Sequence, residues 1–312
     1  MSVYKTDRKE LEKLVRNLEN KYSFKGPLHF TDFTNLKSIF DCGSLKSRAQ
    51  CERESLNFLD AANHDIIEHT KVDIKRCARF YFKELTPTLY NNEGIKENDE
   101  KPHVPIPVYL LFNKELIYQV YTVFSDGNAR SKYTRFGKDA GFFKEIDWEK
   151  TFNRGSLTGD TVIRWEYTRK RNAELLSIIP VSLEYLDKVI FRCEADRKRA
   201  YNVLGNDYKY EVNRSMFNNN NNYIVDYNIK ITKKSKSKSL KLEWSFNNYT
   251  YNSYKNRYII IAINDNIIIQ NVELNFPNDL GLYWEITIEN LPDEELIINY
   301  YIDNVLCIEE YI

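Results

Sequence analysis

The sequence predicts an α+β domain followed by an all-β domain. In the first two thirds of the chain helical and extended patterns alternate, and Leu11, Leu14, Val15 and Leu18 recur at helical spacing within Lys5–Glu19. In the last third, β-branched and aromatic runs recur at about the 8–12-residue spacing typical of a β-sandwich. A hydrophobic content of 42% supplies enough apolar material for packed cores.

A run of asparagines marks the boundary between the two patterns. Asn218–Asn222 is polar and aperiodic, so we predict a first domain over residues 1–214, a linker over 215–222 and a β-sandwich-like domain over 223–312. The charge balance changes at the same place. Residues 1–213 hold 36 Lys+Arg and 32 Asp+Glu, whereas residues 214–312 hold 9 and 13. Because the whole chain has zero net charge, contact with nucleic acid must use local basic patches.

Local patterns predict the individual elements. Leu28–Thr31 and Val108–Phe112 have the composition of strands, and Asn35–Phe40 that of a helix ended by Gly43. Asn264–Asn266 predicts a hairpin turn between two apolar runs. In the first domain, further strands are predicted at Trp165–Tyr167 and Ala173–Ile179, and Leu186–Leu204 is predicted to contain a strand and a short helix. In the last segment, strands are predicted at Tyr223–Ile231, Ser239–Phe246, Tyr258–Ile263, Ile267–Leu274, Tyr283–Ile288 and Leu296–Tyr301.

The sequence carries no signal for export or membrane insertion. Met1–Asn20 is charged throughout, and no apolar run approaches the roughly 20 residues that a membrane helix needs. The five cysteines form no CxxC pair, and the four histidines show no HExxH spacing. We therefore expect a cytoplasmic protein with reduced thiols, no metal and no membrane partner.

The first candidate motif is Leu28–Ile39. His29 and Thr31 lie two residues apart in a predicted strand, so their side chains share one face, and Asn35 begins the helix that follows. Such a face fits a ribose and an amide. The alternative is a histidine that satisfies a hydrogen bond in the core, which is the commoner role of a single histidine.

Two further motifs combine aromatic and basic side chains. Arg79–Ile95 predicts an aromatic strand, containing Tyr81, that runs into a loop rich in proline, asparagine and glycine. Its rings fit the stacking of a nicotinamide or a base, or else belong to a buried strand. Phe124–Arg130 predicts a tight turn that opens a basic segment, which fits either a phosphate site or a solvated face.

The fourth motif places a carboxylate next to a basic cluster. Glu174 comes shortly after Arg169, Lys170 and Arg171, and these cations favour its ionised form. A fixed carboxylate can stabilise positive charge that develops on a ribose. The alternative is a surface ion pair that contributes little.

The order of the four motifs resembles the DarT family of DNA ADP-ribosyltransferase toxins, most closely its guanine-modifying branch. The resemblance covers about residues 24–206, and its most specific parts are the FYF…TPTxYxNEG stretch and the Ala-Glu pair that ends at Glu174. It implies the mono-ADP-ribosyltransferase fold, in which two small β-sheets form a split core and NAD binds in the cleft. It also implies transfer of ADP-ribose from NAD to a base of single-stranded DNA.

The resemblance implies roles for individual residues. Glu174 matches the catalytic glutamate, and Arg79 is the second catalytic candidate from its position, as a polar group near the target base. The NAD-binding candidates are His29, Thr31, Asn35 and Tyr81. The nucleic-acid-binding candidates are Thr86, Tyr90, Arg130, Lys132, Arg135, Arg169, Lys170 and Arg171, with Tyr133 as a second stacking ring.

One segment departs from the family pattern. Lys83–Pro87 reads Lys-Glu-Leu-Thr-Pro where the family has Arg-Pro-x-Thr-Pro, and lysine lacks the fork of a guanidinium. The target base, and the choice of DNA or RNA, therefore stay open. We expect a toxin of a toxin–antitoxin or anti-phage system, with a separate antitoxin that removes ADP-ribose. The alternatives are transfer to RNA or protein, or an inactive fold that recognises a partner through residues 223–312.

Overall fold

The chain divides into two compact units, which are described one at a time. A computed structural model describes residues 3–59, 72–95, 104–155, 157, 159–218, 223–234, 237–247, 257–264, 266–274 and 283–312. The first unit comprises residues 1–92 and 108–190, and the second comprises residues 93–107 and 191–312.

The first unit opens with the amphipathic helix that the sequence predicts. Helix α1 buries Leu11, Val15 and Leu18 on one face and ends at Ser23, whose backbone is left-handed. Gly43, with φ of +61°, follows the second helix. The helices described in this unit are α1 (Arg8–Tyr22), α2 (Leu36–Asp41), α3 (Arg48–Arg53), α4 (Val72–Lys75), α5 (Pro87–Asn92), α6 (Ala140–Glu145), α7 (Trp148–Phe152) and α8 (Thr161–Lys170).

A central sheet organises the first unit. Its strands lie in the order β9-β4-β1-β3-β7-β5-β6, and the pairs β1/β3, β3/β7, β7/β5 and β5/β6 are antiparallel. A separate short ladder joins β2 to β8. The strands are β1 (Leu28–Asp32), β2 (Ser44–Leu45), β3 (Ala78–Tyr81), β4 (Pro107–Phe112), β5 (Thr122–Ser125), β6 (Phe136–Gly137), β7 (Glu174–Ser177), β8 (Val181–Ser182) and β9 (Leu186–Phe191).

Aromatic side chains fill the core around this sheet. Strand β4 is buried along its whole length, which suits its continuous apolar sequence. Phe80 packs edge to face on Phe112 with ring centroids 5.0 Å apart, and Phe124 packs in the same way on Phe143 at 4.9 Å. These contacts hold β3, β4 and β5 in fixed positions around the site described below.

The second unit is dominated by antiparallel β-structure. One sheet has the strand order β11-β12-β15 and another has β14-β13-β16-β17, with a core that includes Leu240, Leu242, Trp244, Ile298 and Tyr300. Strand β17 lies outside the strands that the sequence predicted. The elements described are α9 (Glu194–Leu204), β10 (Tyr210–Val212), β11 (Ile224–Lys234), β12 (Ser237–Phe246), β13 (Arg257–Ile263), β14 (Asn266–Leu274), β15 (Tyr283–Leu291), β16 (Ile297–Ile302) and β17 (Val305–Tyr311).

Helix α9 packs against the C-terminal sheets. Arg199 Nη1 donates to the carbonyl oxygen of Leu306 at 2.6 Å, and Asn202 Nδ2 donates to that of Glu309 at 2.8 Å. These contacts assign residues 191–218 to the second unit, whereas the predicted first domain extends to residue 214. Residues 219–222 of the predicted linker lie outside the described residues.

The mixed α+β core with additional C-terminal antiparallel sheets confirms the predicted fold class. Two local predictions are wrong. Trp165–Tyr167 belongs to helix α8, because the Asp160 carboxylate accepts from Ile163 N at 2.9 Å and caps a helix there. The expected loop after Tyr81 contains helix α5, which has Pro87 at its first position, where a missing N–H has no cost.

Two other predictions concern a turn and membrane insertion. Ile263 pairs with Asn266 across the β13–β14 hairpin, which agrees with the predicted turn, although Asp265 lies outside the described residues. Within the part of the chain that the structure describes, no helix combines the length and the apolarity that crossing a bilayer requires.

Candidate active site

The centre of the candidate site is a two-pronged ion pair between Arg79 and Glu174. Arg79 Nε lies 2.6 Å from Glu174 Oε2, and Arg79 Nη2 lies 2.8 Å from Oε1. The Glu174 side chain is 0% exposed, whereas that of Arg79 is 28% exposed. Burial disfavours the charge on Arg79, but the adjacent carboxylate raises the pKa of this guanidinium, so Arg79 is charged. Arg79 therefore separates Glu174 from solvent.

The register of two neighbouring strands creates this pair. In the antiparallel ladder between β3 and β7, Tyr81 lies opposite Glu174 and Arg79 lies opposite Leu176. Arg79 and Tyr81 are two residues apart and share a face with Glu174. The long Arg79 side chain then reaches Glu174 diagonally across the ladder.

The turn after β5 fixes Glu174 from the other side. Ala129 N donates to Glu174 Oε1 at 2.8 Å, and the main-chain nitrogen of Glu174 donates to Ser125 Oγ at 3.0 Å. Ser125 Oγ in turn donates to the carbonyl oxygen of Gly127 at 2.7 Å. Glu174 is thus held through both its carboxylate and its backbone.

His29 contacts the main chain next to this pair. Its Nδ1 lies 2.9 Å from the carbonyl oxygen of Arg79, so Nδ1 carries the proton and Nε2 is left as an acceptor. Burial lowers the pKa of His29 to about 4. The ring is therefore neutral near pH 7. Its hydrogen bond to the main chain of Arg79 links it to the Arg79–Glu174 pair.

A cavity of about 270 Å³ opens beside these residues. Tyr81 stacks on Phe30 in its wall, with ring centroids 5.4 Å apart. Burial and the neighbouring Arg79 lower the pKa of Arg130, which also lines the cavity, so two guanidinium groups concentrate positive charge there. The sequence-predicted site residues in its wall are His29, Thr31, Asn35, Arg79, Tyr81 and Arg130.

Asn35 uses its amide within the protein. Its Oδ1 accepts from Leu59 N at 2.7 Å, and its Nδ2 donates to the carbonyl oxygen of Leu59 and to Thr31 Oγ1, each at 2.9 Å. Both Asn35 and Thr31 are buried. The amide of Asn35 therefore fixes the segment around Leu59 at the cavity wall.

The two most specific parts of the sequence pattern meet in space. Thr88, in helix α5, donates from Oγ1 to Asn172 Oδ1 at 3.0 Å, two residues before Glu174. Thr86 is buried and caps α5 through a 3.5 Å contact of its Oγ1 with Leu89 N, whereas Tyr90 is exposed on the same helix. The threonine–proline motif thus supports the segment that leads into β7, the strand that begins with Glu174.

The expected basic surface divides into exposed and engaged side chains. Arg130, Lys132 and Arg135 are exposed on the segment after β5, and Arg135 also pairs with Asp126 and with Glu145, each at 3.1 Å. Arg169 differs, because it is 8% exposed and pairs with Asp126 Oδ1 at 3.0 Å. Lys170 pairs with Asp147 at 3.0 Å, and Arg171 donates to Asn153 and Gly155.

Sequence reasoning missed the residues that hold Glu174 in place. Ser125 and Ala129 contribute a hydroxyl and a main-chain N–H, and Asp126 contributes the partner of Arg169. The Ser-Asp-Gly turn was identified for its basic neighbours, and its own polar groups gave no separate signal. Trp165 was missed as an exposed ring because its segment was predicted as a strand.

Comparison with protein-family models identifies the class of this protein as an ADP-ribosyltransferase. The matching model is described as DarT, an ssDNA thymidine ADP-ribosyltransferase, and it covers residues 28–218. This is more than half of the 312 residues, and the chain belongs to the DarT family. Membership of this family confirms the prediction of an NAD-dependent ADP-ribosyltransferase, and the family description names ssDNA as the substrate.

Solved structures of DarT proteins are similar to this chain. The Thermus sp. 2.9 DarT complex with ADP-ribosylated ssDNA is 17% identical, with a TM-score of 0.50 over 62% of this chain and 95% of that chain. The NAD⁺ complex of the same DarT is 15% identical, with a TM-score of 0.48 over 62% and 96%. Thermosipho africanus DarTG with ADP-ribose is 19% identical, with a TM-score of 0.48 over 62% and 51%.

No curated protein gives a significant sequence match to the chain. Among the described residues, no three or more His, Cys, Asp or Glu side chains are grouped so as to hold a metal ion.

Proposed function

We propose that this protein transfers ADP-ribose from NAD to a nucleobase of single-stranded DNA, with Glu174 as the catalytic carboxylate and Arg79 as its partner. The observation that carries the proposal is the fully buried carboxylate of Glu174, held by the Arg79 fork at the wall of a cavity. A carboxylate in a water-poor position interacts strongly with positive charge that develops on a ribose.

The cavity wall fits the chemical groups of NAD. The neutral His29 ring offers an acceptor nitrogen for a ribose hydroxyl or a carboxamide N–H. The stacked rings of Tyr81 and Phe30 offer an apolar wall for nicotinamide, and Arg130 offers positive charge for the diphosphate. Thr31 and Asn35 act by fixing this wall.

The reaction breaks one glycosidic bond and forms another. The bond between the ribose C1′ and the nicotinamide nitrogen breaks, and its electron pair leaves with neutral nicotinamide. A nitrogen of the base then bonds to C1′ and loses its proton to solvent water. Glu174 stabilises the positive ribose, and Arg79, which faces the cavity, orients the incoming base.

Access to Glu174 requires the Arg79 fork to open. Both carboxylate oxygens are occupied by Arg79, and Oε1 also accepts from Ala129 N. A ribose hydroxyl that replaces one Arg79 N–H preserves the number of hydrogen bonds to the carboxylate. Arg79 is the mobile partner in this exchange, because its side chain is partly exposed while Glu174 is enclosed.

The DNA strand follows the exposed segment after β5. Arg130, Lys132 and Arg135 offer positive charge to phosphates, and Tyr133 is 60% exposed beside Trp165. An unpaired base is required, because the reacting nitrogen and the base face are inaccessible in a stacked duplex. Tyr90, on helix α5, offers a second ring.

Mass spectrometry of oligonucleotides incubated with the protein and NAD tests this function. We expect a single ADP-ribose adduct on single-stranded DNA and none on the matched duplex. The family description names thymidine, whereas the motif resemblance favours guanine, and oligonucleotides that contain only one of these bases distinguish the two. Transfer to RNA or to protein, or no consumption of NAD, contradicts the proposal.

We also propose that the protein acts as a toxin with a separate antitoxin that removes ADP-ribose from DNA. The resemblance of the four sequence motifs to the DarT toxins supports such a pairing. Expression in a bacterial host gives the test: wild type arrests growth, Glu174→Gln does not, and co-expression of an ADP-ribosyl hydrolase restores growth. Arrest by the Glu174→Gln variant contradicts a toxic role for the transferase.

A further inference from the structure

We infer that Asp126 and Arg169 form a buried lock that positions the catalytic carboxylate of Glu174, so that Arg169 is a positioning residue and not a contact of DNA. This inference rests on the proposed function. Its starting point is the buried pair between Arg169 Nη1 and Asp126 Oδ1, at 3.0 Å, with the two side chains 7% and 10% exposed.

Asp126 joins two parts of the segment after β5. Its Oδ1 also accepts from Arg135 N at 2.9 Å, and its Oδ2 accepts from Arg135 Nε at 3.1 Å. Burial favours the neutral acid, but the hydrogen bonds from Arg135 and Arg169 hold the pKa of Asp126 below its ordinary value. Asp126 is therefore a charged acceptor at the base of the turn.

Arg169 holds the same turn through its main chain. Its carbonyl oxygen accepts from Asn128 N at 2.9 Å, and its Nη1 lies 3.4 Å from Thr134 Oγ1. A Cβ on Gly127 would lie 2.9 Å from that carbonyl oxygen and 2.7 Å from Nη1, which is closer than real contacts allow. Glycine at position 127 is thus required for the approach of Arg169.

The lock ends at the catalytic carboxylate. Asn128, held by Arg169, directly precedes Ala129, whose N–H donates to Glu174 Oε1 at 2.8 Å. Arg169 itself lies five residues before Glu174 in the chain. One ion pair therefore fixes both the donor of this hydrogen bond and the segment that carries its acceptor.

The test measures kcat and KM for NAD and for single-stranded DNA in Asp126→Asn, Arg169→Gln and the double variant. Because a displacement of about 1 Å at a reacting group can cost about 100-fold, we expect kcat to fall by about that factor in Arg169→Gln. We expect the KM for NAD to stay unchanged. We also expect the kcat of the double variant to fall no further than that of the more impaired single variant. Gly127→Ala, which displaces Arg169 without removing charge, lowers kcat in the same way.

Arg192→Gln is the matched control. Arg192 pairs with Asp196 at 3.1 Å and is as buried as Arg169, but it belongs to the second unit. Its loss lowers thermal stability without changing kcat per folded molecule. Equal loss of kcat in this control shows that the effect of Arg169 is general destabilisation and overturns the inference.

Two further measurements separate the outcomes. If Arg169 contacts a phosphate, Arg169→Gln reduces the slope of log DNA affinity against log salt by about 1, whereas the lock leaves the slope unchanged. Amide exchange of Ala129 tests the lock without any activity: faster exchange in Arg169→Gln than in Arg192→Gln supports it, and equal exchange overturns it. Absence of ADP-ribose transfer in wild type overturns the proposed function, and the exchange comparison still decides the lock.

Discussion

Arg79 occupies both carboxylate oxygens of Glu174, at 2.6 and 2.8 Å, and stands between that carboxylate and the cavity. In the proposed mechanism the Arg79 fork holds the buried carboxylate before substrate binds and releases it to the ribose when the fork opens. The behaviour of substitutions at these two positions follows from this relationship.

The first prediction concerns Glu174→Gln. The amide keeps the size of the side chain and an acceptor for Ala129 N, but it loses the negative charge that stabilises the ribose. We expect transfer to fall by about 10²–10³-fold, since removal of one well-placed stabilising group typically lowers kcat by such a factor. Single-turnover transfer to a labelled oligonucleotide measures the loss, and calorimetry of NAD binding checks that the cavity is intact.

Glu93→Gln is the control for this substitution. Glu93 is also buried, with 1% exposure, and its carboxylate accepts from Asn218 N at 3.0 and 3.1 Å in the second unit. We expect the Glu93→Gln variant to retain the full rate of ADP-ribose transfer. A Glu174→Gln variant that transfers at the rate of Glu93→Gln removes Glu174 from the mechanism.

The second prediction concerns Arg79→Lys. Lysine keeps the positive charge but provides a single point of contact, so it holds one carboxylate oxygen where arginine holds two. We expect kcat to fall by about 10–100-fold while the KM for NAD changes little, because orientation is lost and charge is kept. Steady-state kinetics with NAD and a single-stranded oligonucleotide test this, and a KM effect with normal kcat contradicts the role of Arg79 in orientation.

Much of the fold follows from local sequence, and the exceptions have physical causes. Helix α1 and strand β1 were predicted because their apolar spacing matches the faces that they bury. The predicted strand at Trp165–Tyr167 is wrong. The aromatic composition of this segment favours a strand, whereas the Asp160 cap and the length of the segment produce a helix. Helix α9 has the predicted type, but its packing partners are far away in sequence.

The residues of the candidate site also divide into those that the sequence predicted and those that it did not. His29 and Glu174 were found because they stand in recognisable motifs, and the structure connects them through Arg79. The burial of Arg169 was not predictable, because a cluster of three cations gives no sign of which one turns inward to Asp126. Ser125 and Ala129 act through a hydroxyl and a main-chain N–H that depend on the register of β5 and β7.

The third prediction concerns the pH dependence of stability. Burial raises the pKa of Glu93 from 4.5 to about 7. The hydrogen bond from Asn218 N and the charge of Arg192 lower this pKa, whereas the charge of Asp196 raises it further. Between pH 4.5 and 7 the folded state therefore binds more protons than the unfolded chain. The contribution of Glu93 to stability is complete below pH 4.5 and is lost as the pH rises through 7.

Denaturant titrations of wild type and Glu93→Gln at several pH values check this sign. We expect the difference in unfolding free energy between them to change by an amount on the order of 3 kcal/mol across that window. Taking the difference cancels His29, whose lowered pKa acts in the opposite direction and is present in both proteins. A pH-independent difference contradicts the raised pKa of Glu93.

The last prediction concerns two exposed rings over which we propose that the DNA strand passes. Trp165 and Tyr133 are 44% and 60% exposed and meet edge to face at 5.2 Å, with Lys132 Nζ 5.1 Å from the centre of the Tyr133 ring. Stacking of a base on an aromatic side chain contributes about 1–3 kcal/mol. Trp165→Ala should therefore weaken binding of single-stranded DNA by about 5–150-fold, at that energy per base, and leave NAD binding unchanged. Fluorescence anisotropy of a labelled oligonucleotide measures the change, with Tyr311→Ala, a ring in the second unit that is 55% exposed, as the control. Equal affinities of Trp165→Ala and Tyr311→Ala for DNA mean that the strand does not pass over this pair of rings.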